Sequence, residues 1–125
     1  MNQIRPIAIC VFRNKDRILV FEGIDPDNGG IFYRPLGGGI EFGERSEDAA
    51  RRELKEEINA EVEELKYLGT LENIFVFNEN PYHEIVQVYD GVLIDSGLYD
   101  QAEAIQDRFV IRITKMQIVE MDVSF

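Results

Sequence analysis

Three glutamates, Glu53, Glu56 and Glu57, stand in a stretch from Glu47 to Ile58 that reads as a helix. At about 100° per residue they fall within roughly 100° of one another on one face. Carboxylates gathered in this way can hold a hard cation, and a cation with a bound water beside a carboxylate is equipment for hydrolysis. The alternative is a solvated acidic face. The two halves of the helix differ in a way that bears on the choice. Glu47 with Arg51 and Asp48 with Arg52 are i,i+4 pairs that stabilise an isolated helix by about 0.2–0.5 kcal/mol each. Glu53 and Glu57 repel at the same spacing, and Glu56 and Glu57 sit near the C-terminus, where the helix dipole disfavours negative charge. Just upstream, Gly37-Gly38-Gly39 can turn carbonyls to a cation or amides to a phosphate.

The elements that must position these groups are legible in outline. Pro6 to Phe12 and Arg17 to Glu22 read as a hairpin about Asn14-Lys15-Asp16, and Ile31 to Arg34 reads as a strand stopped by Pro35. The run from Asp25 to Gly30 has the look of a calcium loop, but Leu36 stands where the closing Glu is needed, so it reads as a turn. Ser46 is the expected N-cap of a helix from Glu47 to Ile58, with Ala50, Leu54 and Ile58 as its core stripe. Leu65 to Leu71, Ile74 to Phe77 and Ile85 to Ile94 read as strands, with a turn over Asn78-Glu79-Asn80-Pro81 between the last two. Phe109 to Val123 alternates like a strand, and Ala102 to Gln106 suits a short helical turn.

The chain has 125 residues, 45% of them hydrophobic and 30% charged, the length and mixture of one folded domain, 1–125. Thirteen basic and 24 acidic side chains give a net charge of -11, which disfavours nucleic acid as a bulk partner but not a small phosphorylated ligand bridged by a divalent ion. The one cysteine, Cys10, lies in the apolar run Ile7 to Phe12, where a buried thiol is expected rather than a nucleophile. That run is too short to span a membrane and makes a poor signal peptide. The expectation is a cytoplasmic protein with no membrane partner.

From Gly38 to Ala60 the chain reads Gly-Gly-Ile-Glu-Phe-Gly-Glu-Arg-Ser-Glu-Asp-Ala-Ala-Arg-Arg-Glu-Leu-Lys-Glu-Glu-Ile-Asn-Ala. This resembles the Nudix box, G-x5-E-x7-R-E-U-x-E-E-x-G-U with U aliphatic. Gly38, Glu44, Arg52, Glu53, Leu54, Glu56 and Glu57 match. Asn59 replaces the box glycine, and Asn is the next best residue for a left-handed helix end. Ala60 is smaller than the usual aliphatic residue. The resemblance extends upstream through Tyr33-Arg34-Pro35-Leu36-Gly37 and more loosely over the first ninety-odd residues. It implies an α/β fold, a Nudix-like α/β/α sandwich with a mixed β-sheet. Arg108 to Phe125 lacks the amphipathic stretch of the family's second long helix, which leaves that C-terminal helix in doubt.

The resemblance also implies an activity: hydrolysis of a nucleoside diphosphate linked to another moiety, with Mg2+ or Mn2+ and attack by water at phosphorus. In that light Glu53, Glu56 and Glu57, with the Gly38 carbonyl, are the expected metal ligands. Glu53 is equally a candidate base, and Arg52 would order the glutamates through Glu44 or a helix neighbour, or else simply pair with Asp48. Arg34, Gly37, Gly39 and Glu84 are the expected substrate contacts. Arg34 alternatively reads as an exposed strand residue, and His83-Glu84 as a structural pair. Phe32, Tyr33, Phe75, Phe77 and Tyr82 could stack on a base, though strand aromatics are more often core. A binding or regulatory domain without turnover is the competing reading, and the sequence leaves room for a homodimer.

Overall fold

The computed structural model describes residues 2–14, 17–24, 28–94, 103–105 and 108–112. Its organising strand is β1, Ile4–Asn14. The run Ile7 to Phe12 does not alternate because both of its faces are covered. Ile7, Ile9 and Val11 pack with Val86 and Val88, while Ala8, Cys10 and Phe12 join Leu19, Phe21, Leu36 and the helix residues Ala49, Ala50 and Leu54. Cys10 is buried, as expected, and burial pushes its thiol up to about 12, which removes it from thiolate chemistry near neutral pH.

Around β1 the sheet is mixed. β2 (Arg17–Ile24) joins it as the expected hairpin, but only Arg13↔Ile18 and Asn14↔Arg17 are paired. The two strands then diverge. β3 (Ile31–Arg34) pairs with β2, and β4 (Leu36–Gly39) runs antiparallel to the first half of β1, with Gly39, Gly38 and Gly37 opposite Ile7, Ala8 and Ile9. A side chain at Gly37 would meet the Ala8 carbonyl oxygen at 2.1 Å, and its φ is +144°; only glycine fits there. On β1's other edge β6 (Asn80–Leu93) runs parallel, and β5 (Val62–Phe77) pairs with β6. β8 (Arg108–Arg112) lies parallel to β2, with β7 (Glu103–Ile105) beside it.

The helix α1, Ser46–Ile58, crosses one face of this sheet. Ala49, Ala50 and Leu54 are fully buried against it and Ile58 partly so, which is the expected stripe with Ala49 added. Burial of a leucine such as Leu54 contributes about 1.5–3 kcal/mol. Asn59 ends the helix in the left-handed conformation, φ 52°, with its N–H on the Lys55 carbonyl, so the turn survives the loss of the box glycine.

Several expectations need correction. The N-cap is Arg45, extended and without a side-chain cap bond, while Ser46 opens the helix and its hydroxyl bonds Tyr89 at 2.6 Å. β5 is one strand where two were expected. Glu72 and Asn73 look like a break, but they keep the alternation of exposed and half-buried positions and pair with Ile85 and Glu84. The turn that follows is only Asn78-Glu79, at φ 51° and 63°; Asn80 and Pro81 already belong to β6. Glu103–Ile105, read as part of a helical turn, is a strand held by pairing with β8. The remainder of the Phe109 to Val123 reading, the C-terminal helix, and Asp25, Pro26 and Asp27 lie outside the described residues. Among the described residues no helix is long and apolar enough to cross a membrane.

Candidate functional site

The site forms where β4 passes under α1. With Leu54 on the sheet, Glu53 also turns inward and is 6% exposed. Gly38 makes room for it: a Cβ there would lie 2.5 Å from the Glu53 carboxyl carbon. The box glycine is thus required by the box glutamate, fifteen positions on.

Arg52 gathers the upper part of the site. Its Nε and Nη2 donate to the two Glu44 oxygens at 2.8 and 2.9 Å, Nη1 donates to Glu53 at 2.9 Å and to Glu56 at 3.4 Å, and Nη2 also reaches the Gly39 carbonyl at 2.8 Å. This forked pairing holds Arg52, not the Asp48 pairing its spacing allows. Glu44 also accepts from the Glu41 N–H at 3.1 Å. The hydrogen bonds from Arg52, then the Glu41 amide, hold the Glu44 carboxyl down to about 2.

Arg34 gathers the lower part. It is buried, not the exposed strand residue of the simpler reading. Its guanidinium lies over the Phe21 ring, 5.1 Å from the centroid, with Nη1 near the carbonyls of Pro35 and Gly37 at 3.5 and 3.4 Å and Nη2 3.6 Å from Glu57 Oε2. Both Glu57 oxygens are buried without a hydrogen-bond partner. Burial pushes this carboxyl up to about 8, against the pull of Arg34 and with the push of Glu53. Glu84 is fully buried, with Arg5 at 3.6 Å, and burial raises its carboxyl too.

Of the expected site residues, Glu44, Arg52, Glu53, Glu56 and Gly39 are joined by direct bonds, and Glu57, Arg34 and Gly37 by looser ones. Gly38 fits against Glu53. Glu84 is fully buried and pairs with Arg5. The aromatics pack on one another: Phe75 stacks on Tyr82 at 5.2 Å and Phe32 meets Phe77 edge-on at 6.1 Å. Two features escaped the sequence reading. Ser46 and Tyr89 fasten the helix start to β6, and Arg51 donates to the Val62 carbonyl at 2.8 Å, fastening the same helix to β5; neither tyrosine nor arginine carries a local signal for such a partner. A groove of about 430 Å³ runs along that flank past Arg51, Lys55 and Glu61, but its cations are already paired with Glu47 and Glu61.

The donor set suits a hard cation. It consists of carboxylate oxygens, and the two on Glu57 are desolvated and without a hydrogen bond, the Arg34 ion pair at 3.6 Å being a loose one, a costly state that a cation would relieve. The cage is not closed: among the described residues no three such side chains converge on one point, since Arg52 draws Glu53 and Glu56 toward itself.

Comparison with known proteins shows the family. The family model described as the NUDIX domain matches residues 2–108. Among solved structures, the chain resembles a mutator MutT protein from Bacillus halodurans (17% identity, 71% of this chain and 56% of that one, TM-score 0.55). It also resembles a NUDIX hydrolase from Nitrosomonas europaea (22%, 75% and 63%, 0.54) and a protein described as an ADP compounds hydrolase (20%, 72% and 46%, 0.55). The chain therefore spans less than two thirds of the length of each, and at these identities the likeness speaks to the fold. With the domain model covering most of the sequence and the box residues assembled at the β4–α1 junction, the chain belongs to the Nudix family.

Proposed function

We propose that this chain is a metal-dependent hydrolase that cleaves the diphosphate linkage of a nucleoside diphosphate derivative by attack of water at phosphorus. The observation that carries the reading is the Glu57 carboxylate, buried beside Glu53 with no hydrogen bond to either oxygen and only a loose ion pair to Arg34 at 3.6 Å. A scaffold without ligand chemistry has no use for that cost. Glu53, Glu56, Glu57 and the Gly38 carbonyl would hold Mg2+ or Mn2+. The bound ion supplies charge for the diphosphate and an acidified water.

The rest is the work of the protein's own groups. Glu53 is the candidate base, able to take the proton of the attacking water, with its orientation set by the Arg52 Nη1 bond. Arg52 and Glu44 act on Glu53 and Glu56 rather than on substrate, because the Arg52 donors are already committed. Gly37 and Gly39 keep the backbone bare of side chains where a phosphate would approach. A small-molecule substrate and a soluble, cytoplasmic setting belong to this reading, as does room for a homodimer.

The competing reading, a nucleotide-binding or regulatory domain, would keep the fold and lose turnover. A panel of nucleoside triphosphates, ADP-ribose, dinucleoside polyphosphates and nucleotide sugars, assayed with Mg2+, Mn2+ and EDTA, separates the two. Turnover that EDTA removes and that Glu57→Gln abolishes in a folded protein supports the hydrolase. Ligand-induced thermal stabilisation without turnover would establish the binding domain instead.

A further inference from the structure

Two buried carboxylates without hydrogen-bond partners act on Arg34. One is Glu57, 3.6 Å from its Nη2. The other is Glu84, whose charge acts on Arg34 less than those of Glu57 and Glu53; it has no solvent exposure and pairs with Arg5 at 3.6 Å. Among the described residues, every buried side-chain polar atom that lacks a hydrogen-bond partner belongs to Glu57, to Glu84, or to the neighbours His83 and Asn73, and Asn73 faces Glu84 across the β5–β6 pair. The guanidinium is held from several directions: it lies over the Phe21 ring, Nη1 meets the Pro35 and Gly37 carbonyls, and Nη2 faces Glu57. With its side chain 9% exposed, it offers little surface for a fork onto a phosphate.

We infer that Arg34 is a positioning residue: seated on Phe21, it ties the Gly37 carbonyl of β4 to Glu57 on the last turn of α1, and it does not contact phosphate. The inference rests on the functional reading given above for Glu57. It assigns Glu84 the role of a lesser counter-charge to Arg34, inside the protein, and not that of ligand or substrate contact.

The test uses the metal-free full chain titrated with Mn2+ alone, free Mn2+ being read by electron paramagnetic resonance, alongside kcat and KM on the diphosphate compound that the panel identifies. Arg34→Gln is expected to weaken Mn2+ binding by roughly 10–100-fold, as loss of a group that orients a ligand does. It should lower kcat while KM shifts by less than about twofold, and Arg34→Lys should restore part of the loss. Glu84→Gln should act in the same direction to a smaller extent, with circular dichroism and Tm close to those of the parent. Unchanged Mn2+ affinity with a KM raised about tenfold or more would make Arg34 a phosphate contact and overturn the inference. If Arg34→Gln does not fold, Glu84→Gln and Arg34→Lys decide, and parental Mn2+ affinity in both overturns it equally. Glu57→Gln is the reference. Should that variant bind Mn2+ as the parent does, the functional reading itself fails; should it bind weakly while the Arg34 and Glu84 variants bind normally, only the positioning role fails.

Discussion

Two arginines reach from the β4 glycines to the glutamates of one helix, and they do so under opposite conditions. Arg52, its side chain 25% exposed, links the Gly39 carbonyl to Glu44 and Glu53 with bonds of 2.8–2.9 Å. Arg34, 9% exposed, links the Gly37 carbonyl to Glu57 with contacts of 3.4 and 3.6 Å. The carboxylates record the contrast. Glu44 is held down to about 2 by its arginine, whereas Glu57 is pushed up to about 8 by burial that its arginine does not offset. A saturated polar network fixes geometry, and an unsaturated buried one marks where a further partner is required. The upper clamp therefore sets the shape of the site, and the lower one keeps it ready for charge.

Glu53 stands between the clamps, bonded to Arg52 and pressed against Gly38, so, after Glu57, its loss should have the largest effect. Glu53→Gln preserves shape and should lower kcat by roughly 10²–10⁴-fold, the span of general-base catalysis, with the far-ultraviolet circular dichroism of the parent. A loss below about tenfold would move the base to another residue. Gly38→Ala comes next. The added methyl would sit 2.5–2.8 Å from the Glu53 carboxyl atoms, and these are the far end of a side chain that can swing aside. The protein should fold with little change in Tm but lose roughly 10²-fold in kcat, the cost of displacing a reacting group by about 1 Å. A collapse of Tm instead would show that the Glu53 side chain cannot yield.

The same contrast explains what could be read from sequence. The upper clamp was legible because its members share one helix and the loop feeding it, so spacing alone brings Glu44, Arg52, Glu53 and Glu56 together. The lower clamp depends on β3 and the helix end meeting in space, and nothing local reveals that Arg34 faces Glu57 or that Glu84 is fully buried. The core followed a similar rule. Residues Ile7 to Phe12 announced a strand buried on both faces, and Asn59 a left-handed helix end. The single β5 strand was hidden because the polar pair Glu72-Asn73 resembles a turn until its partners on β6 are known.

The upper clamp should show itself in the response to acid. The folded-state pKa of Glu44 lies below its ordinary value of 4.5, so the stability it contributes is fully present above that value and is lost as pH falls through about 2. Thermal melts of the parent and of Glu44→Gln should therefore differ at neutral pH and converge as pH approaches 2. Parallel curves over that interval would mean that Arg52 does not hold Glu44 in solution.

The smallest effect concerns how the helix that carries both clamps begins. Ser46 has the chemistry of an N-cap, but the residue in the capping position is Arg45, whose carbonyl accepts the first helical bond from the Ala49 N–H at 2.9 Å. Ser46 bonds the Tyr89 hydroxyl at 2.6 Å instead. Arg45→Ser would supply the missing side-chain acceptor, and it should stabilise the protein by about 0.5–1 kcal/mol without altering kcat. Ser46→Ala removes one part-buried hydrogen bond and should cost about 1 kcal/mol. If Ser46 were the cap, Arg45→Ser would be silent in a urea melt while Ser46→Ala would still destabilise, so the gain from Arg45→Ser is the decisive measurement. The phase of the helix does not depend on that start, because Ala49, Ala50 and Leu54 packed on the sheet keep Glu53 turned toward Gly38.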